Sequence, residues 1–129
     1  MIVLDTHIWI WWVNNDFKLL NSRRQTLIAS ADLVAVSAIS CFEVAWLERH
    51  QRIILPCQPA EWFDKALGLS GIALLPITPV IAARAVALQE HHSDPQDRII
   101  IASAIEHSAE LISDDSKFSL YLELNGRLI

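Results

Sequence analysis

The 129-residue sequence is short of positive charge: 10 lysines and arginines face 15 aspartates and glutamates, a formal net charge of −5. A protein that grips nucleic acid by charge alone is usually basic. That mode is excluded, and any nucleic-acid chemistry must give the acids a purpose. Cysteine is scarce as well. Cys41 and Cys57 are the 2 in the chain and form no metal-spaced pair, so both are expected as free thiols in a reducing cytoplasm. Long hydrophobic runs are absent, and no segment is expected to span a bilayer. The opening MIVLD lacks a basic segment ahead of an apolar stretch, which speaks against a secretory signal. No repeat, low-complexity tract or linker divides the chain, so one domain over residues 1–129 is expected.

Apolar side chains are in excess: they make up 53% of the residues, and 5 of them are tryptophan. A small domain has limited interior to hide them. Part of this surplus is expected to cover a subunit or partner interface.

Ile2-Val3-Leu4 is a continuous apolar run that suits a strand buried on both faces of a parallel sheet. Helical segments are expected over Thr6–Val13 and Ser22–Ala31. A second strand follows at Leu33–Val36, then Ser37 as an N-cap and a helix running to His50. A helix over Ala60–Ser70, stopped by Gly71, leads to a third strand at Ile72–Ile77. Helices over Val80–Glu90 and from Asp94 to Ser108 precede a fourth strand at Leu111-Ile112. The tail reads as a short helix over Phe118–Leu124 and an edge strand at Arg127–Ile129. Strands alternating with helices predict an α/β fold: a three-layer α/β/α sandwich around a parallel sheet of four to five strands.

In such sheets, ligands bind beyond the carboxyl ends of the strands. Asp5 follows the first strand and Asp114-Asp115 follow the fourth. Glu43 lies early in the helix after the second, and Asp94 and Asp97 open the helix leading into the fourth. Each acid also has a plainer reading. Asp94-Pro95 is a good helix start, and an acid at the third helical position, Asp97, suits the helix dipole. Asp5 and Asp114-Asp115 are acceptable turn residues. Glu43 is harder to explain, because Phe42, Val44, Ala45, Trp46 and Leu47 surround it and no lysine sits four residues away. A buried carboxylate without a partner is costly. Taken together, the acids would repel unless a cation joined them. An all-oxygen set selects a hard divalent ion, Mg²⁺ or Mn²⁺, and such ions serve phosphoryl chemistry.

Four elements, LDTH (Leu4–His7), SAISCFE (Ser37–Glu43), HSDPQDR (His92–Arg98) and LISDDSKF (Leu111–Phe118), resemble the PIN-domain family. Within it they are most similar to the VapC toxins of bacterial type II toxin–antitoxin systems, in order and over nearly the whole chain. The resemblance implies a Mg²⁺-dependent endoribonuclease, a homodimer and a cognate antitoxin. It implies an acidic core of Asp5, Glu43, Asp97 and Asp115, with Asp115 preferred to Asp114 on its spacing from Phe118. Thr6, Ser37 and Ser113 match positions whose hydroxyls line or precede the site, and Asp94 matches a structural position. Arg98 is open between touching phosphate and pairing with an acid. Gln96 stands where relatives often have Phe, Ser113 where they have Thr, and Gln51 where they have Gly; none of these removes a carboxylate.

The histidines, His7, His50, His91, His92 and His107, are read as surface or packing residues. Arg23, Arg24, Arg49 and Arg52 are expected to hold RNA, and the tryptophans to serve the core and a dimer interface. A non-catalytic PIN-like module that binds RNA or protein is the alternative; a missing core acid would favour it, and none is missing. Aspartyl-nucleophile chemistry wants D-x-D near the first strand, where His7 stands instead. A response-regulator receiver wants an early acidic pair and a late lysine, and neither is in place.

Overall fold

Ile2-Val3-Leu4 and Val34-Ala35-Val36 have no solvent-facing side chain, which is what a parallel strand covered on both faces requires. In the structure, a computed structural model describing residues 1–129, they form β1 (Ile2–Leu4) and β2 (Val34–Ser37). With β3 (Ala73–Leu75) and β4 (Glu110–Ile112) they make a 4-stranded sheet, all parallel, in the order β3-β2-β1-β4. Leu128 adds a single parallel bridge to Leu111, so the expected last edge strand is reduced to one pairing.

The helices are α1 (Thr6–Val13), α2 (Ser22–Ser30), α3 (Ala38–Arg49), α4 (Pro59–Ala66), α5 (Pro79–Ala87) and α6 (Pro95–Glu106). The two-residue alternation of the strands sorts the core. Ile2, Leu4, Val34, Val36 and Ile112 face one layer, with Ile8 and Trp9 of α1, Ile28 of α2 and Trp62 of α4. Val3, Ala35 and Leu111 face the other, with Ile100, Ile101 and Ala104 of α6, and Phe118 and Tyr121. This is the expected three-layer arrangement. Trp9 and Trp62 meet edge-on at 4.9 Å, and both ring N–H groups find acceptors, Ala66 O and Asn14 Oδ1.

Several boundaries move. α4 stops at Ala66 rather than Ser70, because the chain turns through Leu67–Gly71 and Gly71 takes φ 69°, a conformation other residues resist. β3 is shorter than Ile72–Ile77, since Pro76 has no N–H to offer the ladder. α5 ends at Ala87, not Glu90, because the carbonyls beyond it are taken by a side chain of α6 described below. The Phe118–Leu124 helix is two 3₁₀ turns, Ser116–Leu120 and Leu122–Leu124.

The strand order carries the functional consequence. The chain leaves β1 toward β2 and β3, then returns to β4 on the other side of β1. The crevice at this reversal, beyond the carboxyl ends of β1 and β4, is where an open parallel sheet binds ligands.

Candidate functional site

Asp5 sits at that crevice, 8% exposed. It caps α1: Oδ1 accepts the Thr6 N–H at 2.8 Å. Its other oxygen, Oδ2, accepts from Ser113 Oγ at 2.7 Å. The Asp115 N–H donates to the same hydroxyl at 3.1 Å. Ser113, read as a support, therefore joins the ends of β1 and β4.

The HSDPQDR segment divides its work by direction. Asp94 caps α6, accepting the Gln96 N–H at 2.9 Å, with Pro95 in the first turn. Asp97, at the third helical position, does not reach back to complete a capping box but turns into the crevice. Arg98, one residue on and so about 100° round the helix, faces the neighbouring hollow instead and is buried. Its guanidinium donates to four carbonyls: Val86 and Leu88 from Nη2, at 3.1 and 2.7 Å, and Gln89 and His92 from Nη1, each at 3.1 Å. Both expectations for Arg98 are corrected. It pairs with no acid, and its buried Nη groups are committed to carbonyls; it fastens the loop between α5 and α6.

Glu43 comes from α3, which Ser37 caps through Oγ and the Ile39 N–H at 3.2 Å. Ser37 thus acts on the backbone and is not among the residues lining the crevice, which corrects its expected place there. Thr6 is fully buried, and its hydroxyl donates to Ser40 Oγ at 2.9 Å beside the Glu43 carboxyl. Glu43 Oε2 is buried with no hydrogen-bond partner.

Asp115 and Asp114 part company. Asp115 Oδ1 accepts the Lys117 N–H at 2.9 Å, while Oδ2 lies 2.8 Å from His92 Nε2. Asp114 is exposed and pairs with Arg24 at 3.0 Å. Arg24 also donates to the Ser113 and Ile129 carbonyls, at 3.0 and 3.3 Å. It is therefore committed to the protein rather than free for RNA, contrary to expectation.

His92 contradicts the packing reading of the histidines. It is buried, and Nε2 stands 2.9 Å from Asp97 Oδ2 as well as 2.8 Å from Asp115 Oδ2. Sequence reasoning passed over it because a histidine two residues before an N-cap has no periodic signature. Its place in HSDPQDR was the available signal. Ser40 and Tyr121, whose hydroxyl accepts the His92 N–H at 3.0 Å, were missed too.

An open hollow of about 440 Å³ is lined by Asp5, Glu43, Asp94, Asp97, Asp114 and Asp115, with His7 and Trp11. The larger hollow, about 520 Å³ between α5 and α6, has a mostly apolar wall including Ala82, Ala85, Val86 and Ile99 and is not the candidate site.

Burial pushes the Asp97 carboxyl up to about 8, and the neighbouring Asp5, Asp94, Glu43 and Asp115 push in the same direction. A helix N-terminus favours an anion by up to about 2 kcal/mol, too little to offset these effects. Burial also raises Asp5, against the hydrogen bonds from Ser113 and Thr6. It raises Glu43 too, and the nearby Asp5 and Asp94 charges push the same way. Asp115 alone is lowered: burial raises it, but hydrogen bonds from the His92 ring and the Lys117 N–H, with the Lys117 charge nearby, outweigh that. Carboxyls so destabilised as anions, with an orphaned buried oxygen among them, suit a divalent cation, and the all-oxygen donors suit a hard one. The residues present fit the group.

A PIN-domain family model matches residues 2–122. Ribonuclease VapC22 of Mycobacterium tuberculosis is 38% identical over 117 residues, covering 90% of this chain and 88% of that protein. Among solved structures, a toxin–antitoxin complex from Klebsiella pneumoniae aligns over 100% of this chain and 96% of that chain, with TM-score 0.67 at 25% identity. VapBC2 from Rickettsia felis, bound to a DNA fragment from its promoter, shares the fold with TM-score 0.69 at 20% identity, over 100% of this chain and 98% of that one. With the four acids meeting at the sheet's switch point, the chain belongs to the PIN-domain family, among its VapC-type members.

Proposed function

We propose that this chain is a Mg²⁺-dependent endoribonuclease, with Mn²⁺ as a substitute ion, and the toxin of a type II toxin–antitoxin pair. The observation that carries the reading is the convergence of Asp5, Glu43, Asp97 and Asp115 on one open hollow. Asp5, Asp97 and Asp115 would hold the cation. Glu43 joins them or uses its unpartnered Oε2 to accept from the attacking water. When bound, the cation supplies a water of lowered pKa and stabilises charge on a phosphate oxygen.

The chain's own residues do the rest. Ser113 and the Thr6 N–H fix Asp5, and the Asp94 cap fixes the first turn of α6 and hence Asp97. RNA would meet the exposed Arg23, Arg49 and Arg52, the last lying 5.9 Å over the Trp46 ring. Phe42 and Trp46, one turn apart on α3, are exposed apolar surface for the antitoxin or a second copy to cover. No helix is long and apolar enough to cross a membrane, and two free thiols suit a cytoplasmic setting.

The test is incubation of the purified protein, stripped of any antitoxin, with total cellular RNA in Mg²⁺ and in chelator. Discrete fragments only with Mg²⁺ support the reading. Cleavage that survives the chelator contradicts it.

A further inference from the structure

His92 belongs to none of the four acids, yet it is among the most tightly held side chains at the site. Its backbone N–H donates to the Tyr121 hydroxyl at 3.0 Å, and its carbonyl accepts from Arg98 at 3.1 Å. Its ring meets Phe118 edge-on at 6.0 Å. The Asp94 N–H points at Nδ1 at 3.3 Å. A nitrogen that receives an N–H is an acceptor, so the ring proton sits on Nε2, an assignment drawn from these hydrogen bonds. That N–H faces Asp97 Oδ2 and Asp115 Oδ2 at 2.9 and 2.8 Å.

Two roles are open to an imidazole beside two metal-binding carboxylates: ligand or hydrogen-bond donor. His92, Asp97 and Asp115 lie close enough together to hold an ion as a set. A ligand nitrogen needs a free lone pair on Nε2, which would move the proton to Nδ1 and set two N–H groups head to head at Asp94. The backbone therefore opposes ligation. We infer that His92 is a positioning residue: a forked donor that aligns the Asp97 and Asp115 carboxylates, leaving an all-oxygen donor set for the cation. This rests on the metal-site reading above. Outer hydrogen-bond partners of metal ligands typically change affinity by about 10–100-fold when removed.

The experiment titrates Mn²⁺ into the metal-free full chain, following free Mn²⁺ by electron paramagnetic resonance, with melting curves to check folding. Wild type, His92→Gln and His92→Leu are compared, with His92→Met replacing the leucine variant if that does not fold. Glutamine keeps an N–H donor near Nε2; leucine and methionine keep bulk against Phe118 without one. The apolar variant is expected to bind Mn²⁺ about tenfold more weakly or worse, with glutamine within a few-fold of wild type. Equal or tighter binding by a folded apolar variant overturns the inference. So does a glutamine variant as impaired as the apolar one, which would make His92 a ligand. A wild type that takes up no Mn²⁺ overturns the metal reading itself, and this inference with it.

Discussion

Ser113 Oγ donates to Asp5 Oδ2 at 2.7 Å, tying the end of β4 to the end of β1 at the floor of the acidic hollow. The same hydroxyl receives the Asp115 N–H, so one small side chain registers two of the four acids. Ser113→Ala is expected to cost about 1–2 kcal/mol in urea denaturation and to weaken Mn²⁺ binding about tenfold. Ser113→Thr should restore both. An alanine variant unchanged in both measurements would contradict the role.

Arg98 holds four carbonyls that no other group reaches. Arg98→Leu leaves them without their donor and is expected to cost about 3 kcal/mol. Arg98→Lys should recover little, because an ammonium cannot span the fork. Urea denaturation of both variants checks this; a leucine variant of wild-type stability would refute the assignment.

Asp114 and Asp115 are adjacent, chemically alike and both line the hollow, but Asp115 is held by His92, while Asp114 is exposed and pairs with Arg24. Asp115→Asn removes a proposed holder of the cation and is expected to lower RNA cleavage by roughly 10²-fold or more. Asp114→Asn should stay within roughly twofold. Parallel cleavage assays at one Mg²⁺ concentration decide it, and the reverse order would overturn the choice.

The folded protein holds the Asp97 carboxyl at about 8 against 3.8 for an ordinary aspartate. Between those values the folded state keeps a proton that the unfolded chain has released. Stability of the metal-free protein should therefore fall as pH rises from about 4 to 8, and the raised Asp5 and Glu43 act in the same sense. Asp115, being lowered, contributes the opposite sense, stability lost only as pH falls below its ordinary 3.8. Saturating Mg²⁺ should flatten the slope, since the cation takes the place of the proton. Melting temperatures from pH 5 to 8, with and without Mg²⁺, report this; a metal-free melting temperature that climbs with pH would contradict it.

The elements were legible where their cause is local. Thr6–Val13 has the bounds read from the sequence because Asp5 and Asn14 punctuate it. Asp5, Asp97 and Asp115 were legible because each follows a strand or opens a helix at one edge of the sheet, and Glu43 because an acid among Phe42, Val44, Ala45, Trp46 and Leu47 needs a partner. What escaped depends on contacts remote in sequence. The end of α5 is set by Arg98, the arginine of a later helix. His92 earns its place only once Tyr121 and Asp115 fold back over it. Arg24 looked like an RNA contact until the chain returned Asp114 to meet it, 90 residues away.

The most direct measurement is RNA cleavage by Asp97→Asn beside wild type in Mg²⁺, with circular dichroism matched. The change keeps shape and hydrogen bonding while removing the anion that the hollow is built to pair with a cation. Cleavage is predicted to fall by roughly 10²-fold or more. A correctly folded variant that cuts RNA at the wild-type rate would contradict the account.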